Sequence, residues 1–152
     1  MEVFQRSITI KAPIEAVFHF HDDTRNLLKI TPPNIQVTIE HATEPGLGQI
    51  VELKVRQFGF LTSRMKMQFV EYTPPTLFSD RQLKGPFKSM FQRRMLSEKN
   101  GETTLTDIFE YELPFGWLGK LAHTLFVRKQ IEEMFTYRQE MTKRILEGGR
   151  KS

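Results

Sequence analysis

Asp80, Gln82, Gln92, Arg94 and Asp107 are the residues of this 152-residue chain whose types could do chemistry on one shared surface. Each falls on the inward side of a strand once alternation is anchored on a large apolar neighbour. Phe78 brings in Asp80 and Gln82, Met90 and Leu96 bring in Gln92 and Arg94, and Leu105 with Phe109 brings in Asp107. Carboxylates beside a guanidinium can pass protons or polarise a carbonyl. They can equally satisfy one another, since a buried polar group without a partner is costly. The text "SEKNGETT" bears on that choice. Asn100-Gly101 is a strong signal for a two-residue hairpin turn, which sets Lys99 against Glu102. Counting outward, Leu96 faces Leu105, Arg94 faces Asp107, Gln92 faces Phe109 and Met90 faces Tyr111. Arg94 and Asp107 then meet across neighbouring strands in a charge-assisted contact. That makes Arg94 a structural counter-ion first, and ranks binding above catalysis.

Other chemistries lack their residues. The chain has no cysteine, which excludes disulfides, thiol catalysis and thiolate-rich zinc sites. His19 and His21 stand two apart on a helix and point in different directions, while His41 and His123 are isolated, so a structural or surface role is read for each and no metal site is expected. No G-x-S-x-G is present, and the single "GLG" lacks the third glycine and strand-to-helix context of a dinucleotide fingerprint. No cofactor is expected.

The elements that must position the polar set follow from periodicity. Phe4, Arg6, Ile8 and Ile10 alternate with polar residues as a strand with one inward face. "APIEAVFHFHDDTRNLLKITPP" then changes period. Pro13 starts a helix with Ile14, Val17, Phe18 and His21 on one stripe, Asp22-Asp23 caps a second short helix, and Pro32-Pro33 ends it. Six strands follow without an intervening helix, separated by "PGLG", Gly59, "TPPT", "KGPF" and Asn100-Gly101, which implies an antiparallel meander. In the last helical region Leu118, Leu121, Ala122 and Leu125 share one face, whereas Val127, Ile131, Met134, Met141 and Ile145 lie nearly opposite at about 100° per residue. One straight helix would not place both stripes on one core. The spacing predicts a break or change of environment near Phe126, then a long helix from about Val127 to about Leu146, ended by glycines 148 and 149.

Through "FHFHDDTRNLLKITPP", "GPFKSMFQ", "TDIFEYELPFG" and "LGKLAHTLFVRKQIEEMFTYR" the chain resembles the START-like superfamily, also called SRPBCC, and most of all its bacterial single-domain members described as polyketide cyclase/dehydrase or lipid-transport-like. The resemblance covers the whole chain, 1–152, as one domain. It implies an α+β helix-grip fold: a seven-stranded curved antiparallel sheet wrapped around a long C-terminal helix, with two short helices after the first strand. It also implies a deep, largely apolar pocket between sheet and helix for a hydrophobic small molecule. Gln92 and Arg94 stand where many resembling sequences carry histidines, so no acid–base role is carried over to them.

The candidate ligand-binding residues are therefore Val55, Met65, Met67, Phe69, Asp80, Gln82, Met90, Gln92, Arg94, Asp107, Phe109 and Tyr111 from the strands, with Ile131, Met134 and Phe135 from the helix. Flexible methionines suit irregular pockets and irregular cores alike. The expected cavity measures on the order of several hundred Å³, lies beneath Val127 to Met141, and opens near the short helices and the Gly85-Pro86-Phe87 loop. The function read from this is a carrier or sensor for a lipid, isoprenoid or polyketide-like molecule. The alternatives are a cyclase or hydratase acting in the same pocket, with Tyr72 or Tyr111 assisting the charged residues, and a protein-interaction module. A net charge of +4 and a pI near 9.4 invite nucleic acid, but the basic residues are scattered rather than gathered in a stripe, so no nucleic-acid partner is expected. No signal-type or membrane-length apolar run is present, and the reading is a cytoplasmic protein without stable membrane insertion.

Overall fold

The structure, a computed structural model, describes residues 1–57, 61–114 and 120–148. Strand β1 (Glu2–Ile10) is followed by helix α1 (Ile14–Asp22) and a 3-10 helix (Thr24–Ile30). Strands β2 (Ile35–Ala42), β3 (Ile50–Gln57), β4 (Leu61–Thr73), β5 (Leu77–Lys84), β6 (Ser89–Lys99) and β7 (Glu102–Glu112) come next, and helix α2 (Lys120–Gly148) closes the described chain. The meander β2 to β7 is intact, and β1 pairs antiparallel with β7, so the sheet order is β1-β7-β6-β5-β4-β3-β2. Alternation is cleanest on β7, where Thr103, Leu105, Asp107, Phe109 and Tyr111 are buried and the residues between them are not.

Local chemistry explains the ends of the elements. Pro13 sits at the N-terminus of α1, and the Ile14 amide donates to the Glu98 carboxylate at 2.9 Å, so a distant side chain satisfies an otherwise orphaned donor. Asp23 caps the 3-10 helix by accepting from the Arg25 amide at 3.0 Å. Asn100 and Gly101 both adopt positive φ, 54° and 77°, as a tight two-residue hairpin turn requires. The register that follows is the one counted from the sequence, from Lys99↔Glu102 through Arg94↔Asp107 to Met90↔Tyr111. The β4–β5 ladder shifts register between Lys66 and Met67 and again between Phe69 and Glu71, irregularities that bend a strand and re-aim its side chains.

Of the break or change of environment expected near Phe126, the break is absent, since α2 runs unbroken from Lys120 to Gly148. The conflict between two apolar stripes is resolved by exposure instead, since Leu125 is 59% and Phe126 54% exposed. Leu118 lies outside the described residues, as do the side chains of Leu61, Leu121, Ala122 and His123 and the tail from Gly149. The inward face of α2 is also rotated from the expected one. Ile131, Phe135, Gln139 and Thr142 are buried, whereas Met134, Met141 and Ile145 are half-buried flanks.

Two apolar clusters form the core. Ile10, Ala12, Ile14, Val17, Phe18, Phe78, Leu96 and Leu105 pack under α1. Met67, Met90, Phe109, Tyr111, Ile131 and Phe135 pack under the first half of α2, joined by Phe4, Met65, Phe87 and Met134. The second half of α2 is fastened to β1: Gln139 Nε2 donates to the Arg6 carbonyl at 2.9 Å and Lys143 Nζ to the Thr9 carbonyl at 2.8 Å.

Candidate functional site

Between the two clusters the sheet and α2 do not close, and a cavity of about 90 Å³ remains. Leu105 of the first cluster and Met67 and Phe135 of the second stand in its wall, with Val51, Leu53 and Phe69 from the sheet and Phe20, Leu27 and Ile30 from the short helices. The half-buried Asp23, Thr24, Asn26 and Leu27 form its solvent side. A single water needs roughly 10–15 Å³ of such space, so there is room for several waters or a small organic group. The volume is nevertheless well below the several hundred Å³ expected, and the cavity sits under Phe135 to Thr142 rather than under the whole of Val127 to Met141. Aromatic packing is the reason. Phe109 lies 5.2 Å from Phe135, and Phe87 lies 5.9 Å from Phe109 and 5.7 Å from Tyr111, ring centre to ring centre, filling the other half of the concave face. Gly85, Pro86 and Phe87 do not line this cavity among the described residues. The short helices do border the cavity, as expected.

The polar set converges here through the hairpin register and the β4–β5 pairing. Arg94 reaches two carboxylates, with Nη1 3.3 Å from Asp80 Oδ1 and Nε 3.4 Å from Asp107 Oδ1. Its guanidinium stacks 4.9 Å above the Phe78 ring. Gln92, oriented with its amide oxygen towards Arg94, accepts from Nε at 3.1 Å and from Nη2. Asp107 also accepts from Gln139 Nε2 at 2.8 Å. Arg94 is thus a counter-ion, as the sequence reading has it, but to two aspartates: it donates to Asp80 and forms an ion pair with Asp107.

Burial sets the protonation of the wall. It is the main cause that lowers the His21 imidazole from 6.5 to about 4, assisted by the positive charge of Arg94, so the ring is neutral at pH 7, and Nδ1 donates to the Val17 carbonyl at 2.8 Å. Burial raises the Asp80 carboxyl above the usual carboxylate range against the opposing pull of Arg94. Arg138 is lowered to about 10, again mainly by burial and then by Arg94, and stays a cation at neutral pH. The wall therefore mixes an apolar lining with a small set of buried donors and acceptors, which can bind an apolar molecule and orient one polar end of it.

Of the residues expected to contact a ligand, Met67, Phe69, Asp80, Arg94, Asp107 and Phe135 stand in this wall. Met65, Met90, Phe109, Tyr111, Ile131 and Met134 belong to the packed cluster beside it. Val55 lies on β3 outside the wall, and Gln92 touches Arg94 from behind. Gln82 turns to its own loop, donating to the Phe87 carbonyl at 2.8 Å. Tyr72 donates to Asp22 at 3.0 Å, away from the cavity, and the Tyr111 hydroxyl is enclosed in its cluster. Sequence reasoning did not place His21, Arg138, Gln139 and Thr142 in the wall. For the last three the signal is helical spacing: they continue the face begun by Ile131 and Phe135 at i+7, i+8 and i+11 from Ile131. Among the described residues no group of three or more His, Asp or Glu side chains is placed to hold a metal ion.

The sequence profile of the polyketide cyclase/dehydrase and lipid transport family matches residues 1–147, and the chain belongs to that family. No curated protein sequence matches it. Solved structures share the fold. A protein from Thermus thermophilus superposes with a TM-score of 0.78 at 16% identity, covering 98% of this chain and 99% of that one. A START superfamily protein from Mycobacterium smegmatis gives 0.71 at 15% identity, with 96% and 97% covered. The di-domain ARO/CYC BexL from the BE-7585A biosynthetic pathway gives 0.77 at 19% identity, with 96% of this chain lying on 50% of that one. The helix-grip, START-like architecture is thereby shown. No helix among the described residues is long and apolar enough to cross a membrane.

Proposed function

We propose that the protein binds a hydrophobic small molecule of lipid, isoprenoid or polyketide-like character in the cavity between sheet and α2, as a carrier or sensor acting in the cytoplasm. The observation that carries this reading is the cavity itself, left open between two packed apolar clusters. Family membership and the relation to START superfamily folds support it. Catalysis is the second reading, favoured by one feature: Asp80 in the wall holds its proton above the usual range beside Arg94. Binding ranks first because both aspartates are already engaged by Arg94, and Asp107 by Gln139 as well.

Native mass spectrometry of protein purified from its own host, followed by denaturation and identification of the released molecule, tests the proposal. A bound apolar compound that raises the melting temperature of stripped protein is the expected result, since a ligand specific to the folded state stabilises it by RT ln(1 + [L]/Kd). Conversion of that compound, lost in Asp80→Asn while binding persists, would establish the enzymatic reading instead.

A further inference from the structure

The cavity wall holds two guanidinium groups with different surroundings. Arg94 is engaged by Asp80, Asp107 and Gln92. Arg138 has no carboxylate within ion-pair distance among the described residues, its buried Nε has no hydrogen-bond partner, and its guanidinium rests 5.5 Å above the Phe135 ring. Beside it on α2, Gln139 Oε1 is likewise buried without a donor. Unmatched buried donors are rare in folded proteins and cost free energy, so the unpaired guanidinium at the cavity points to an acceptor supplied from outside, while Gln139 Oε1 needs a donor that an anion does not supply.

Resting on the binding function proposed above, we infer that the ligand carries a carboxylate at its polar end and that Arg138 receives it, with the apolar part lying against Phe135, Leu105 and Met67. The planar guanidinium matches a carboxylate in a two-point contact. A single negative charge also fits the local balance. Arg94 is shared by Asp80 and Asp107, and Arg138 is left as the one guanidinium of the wall without a carboxylate at ion-pair distance among the described residues. A doubly charged phosphate would face Asp107 and Asp80 at close range in the same small space and is disfavoured. A fatty acid and an aryl acid present the same group, and probes of both kinds separate them.

The experiment measures affinities of octanoate against octanamide and benzoate against benzamide, pairs of similar shape that differ in charge, for the full chain by calorimetry. At least one acid binds about tenfold or more tightly than its amide, as a desolvated charge-assisted contact requires. Whichever pair shows the preference identifies the alkyl or the aryl source. Arg138→Met brings the acid-to-amide ratio towards one, Arg138→Lys keeps part of it, and Arg128→Met keeps all of it. Arg128 lies on the same helix, pairs with Glu2 and Glu132 outside the wall, and loses the same charge on substitution. Because Arg138→Met removes a half-buried cation that has no ion-pair partner among the described residues, its melting temperature stays at or above that of the parent, which keeps the comparison among folded proteins. Equal binding of acid and amide overturns the carboxylate assignment and leaves the binding function standing. A preference that persists in Arg138→Met also overturns it, by locating the acid elsewhere. Failure of all probes to bind, in a protein that native mass spectrometry also finds empty, overturns both.

Discussion

Arg94 and Arg138 make opposite contributions to the same site, and single substitutions separate them. Arg94 neutralises two aspartates whose side chains are only 9% and 6% exposed, so Arg94→Met strands buried carboxylates and costs on the order of 3–5 kcal/mol in urea denaturation. Adding Asp80→Asn and Asp107→Asn to Arg94→Met recovers most of that loss, and a triple variant as unstable as the single one would show that the charge pairing is not its source. His21 supplies the pH dependence. Its folded value of about 4 lies below the ordinary 6.5, so between these values the unfolded chain takes up a proton that the folded chain rejects. This contribution to stability is complete above pH 6.5 and falls away as the pH drops towards 4. The charged groups around the ring, Arg94, Arg138 and Asp107, are common to parent and variant. The parent therefore loses stability relative to His21→Gln across that window, and a constant difference between the two would contradict the buried neutral ring. The Arg94–Asp107 contact was legible in the sequence because Asn100-Gly101 pins the register residue by residue. Its sharing with Asp80 was not, because that contact spans β5 and β6 through side-chain reach, which alternation does not encode.

Phe135 is the buried aromatic ring through which α2 meets the sheet. Phe135 is 1% exposed and touches Phe4 and Phe109, so Phe135→Ala costs about 3–5 kcal/mol by chemical denaturation. The same truncation opens the cavity towards Phe4 and Phe109 and extends the range of ligand sizes accepted. A cost below about 1 kcal/mol would mean that the helix is held elsewhere. Element types and order were readable from the sequence, since alternation and turn residues repeat through six strands with little ambiguity. The facing of α2 was not. A stripe drawn through Ile131, Met134, Met141 and Ile145 follows hydrophobicity, whereas the buried face runs through Phe135, Gln139 and Thr142 because it meets a partly polar cavity. Gln139 and Thr142 are buried there by hydrogen bonds to Asp107, the Arg6 carbonyl and the Arg138 carbonyl, which a hydrophobic stripe cannot anticipate.

At the scale of the whole molecule, the sheet offers more concave surface than α2 covers, and packing decides how much of the difference stays empty. Periodicity establishes that a concave face exists but carries no information on residual volume, which depends on how rings such as Phe87 and Phe109 interlock. The central claim is that the space bounded by Leu105, Phe135, Arg138 and Thr142 is a binding site rather than a packing fault. Filling it is the most direct test. Thr142→Phe projects a ring into about 90 Å³ of open space from a residue that is 1% exposed. Calorimetric titration with the molecule recovered from the native protein then gives saturable binding to the parent and a loss of about tenfold or more in affinity for the filled variant, with its thermal unfolding still cooperative. Undiminished binding to that variant would place the ligand elsewhere and contradict the account.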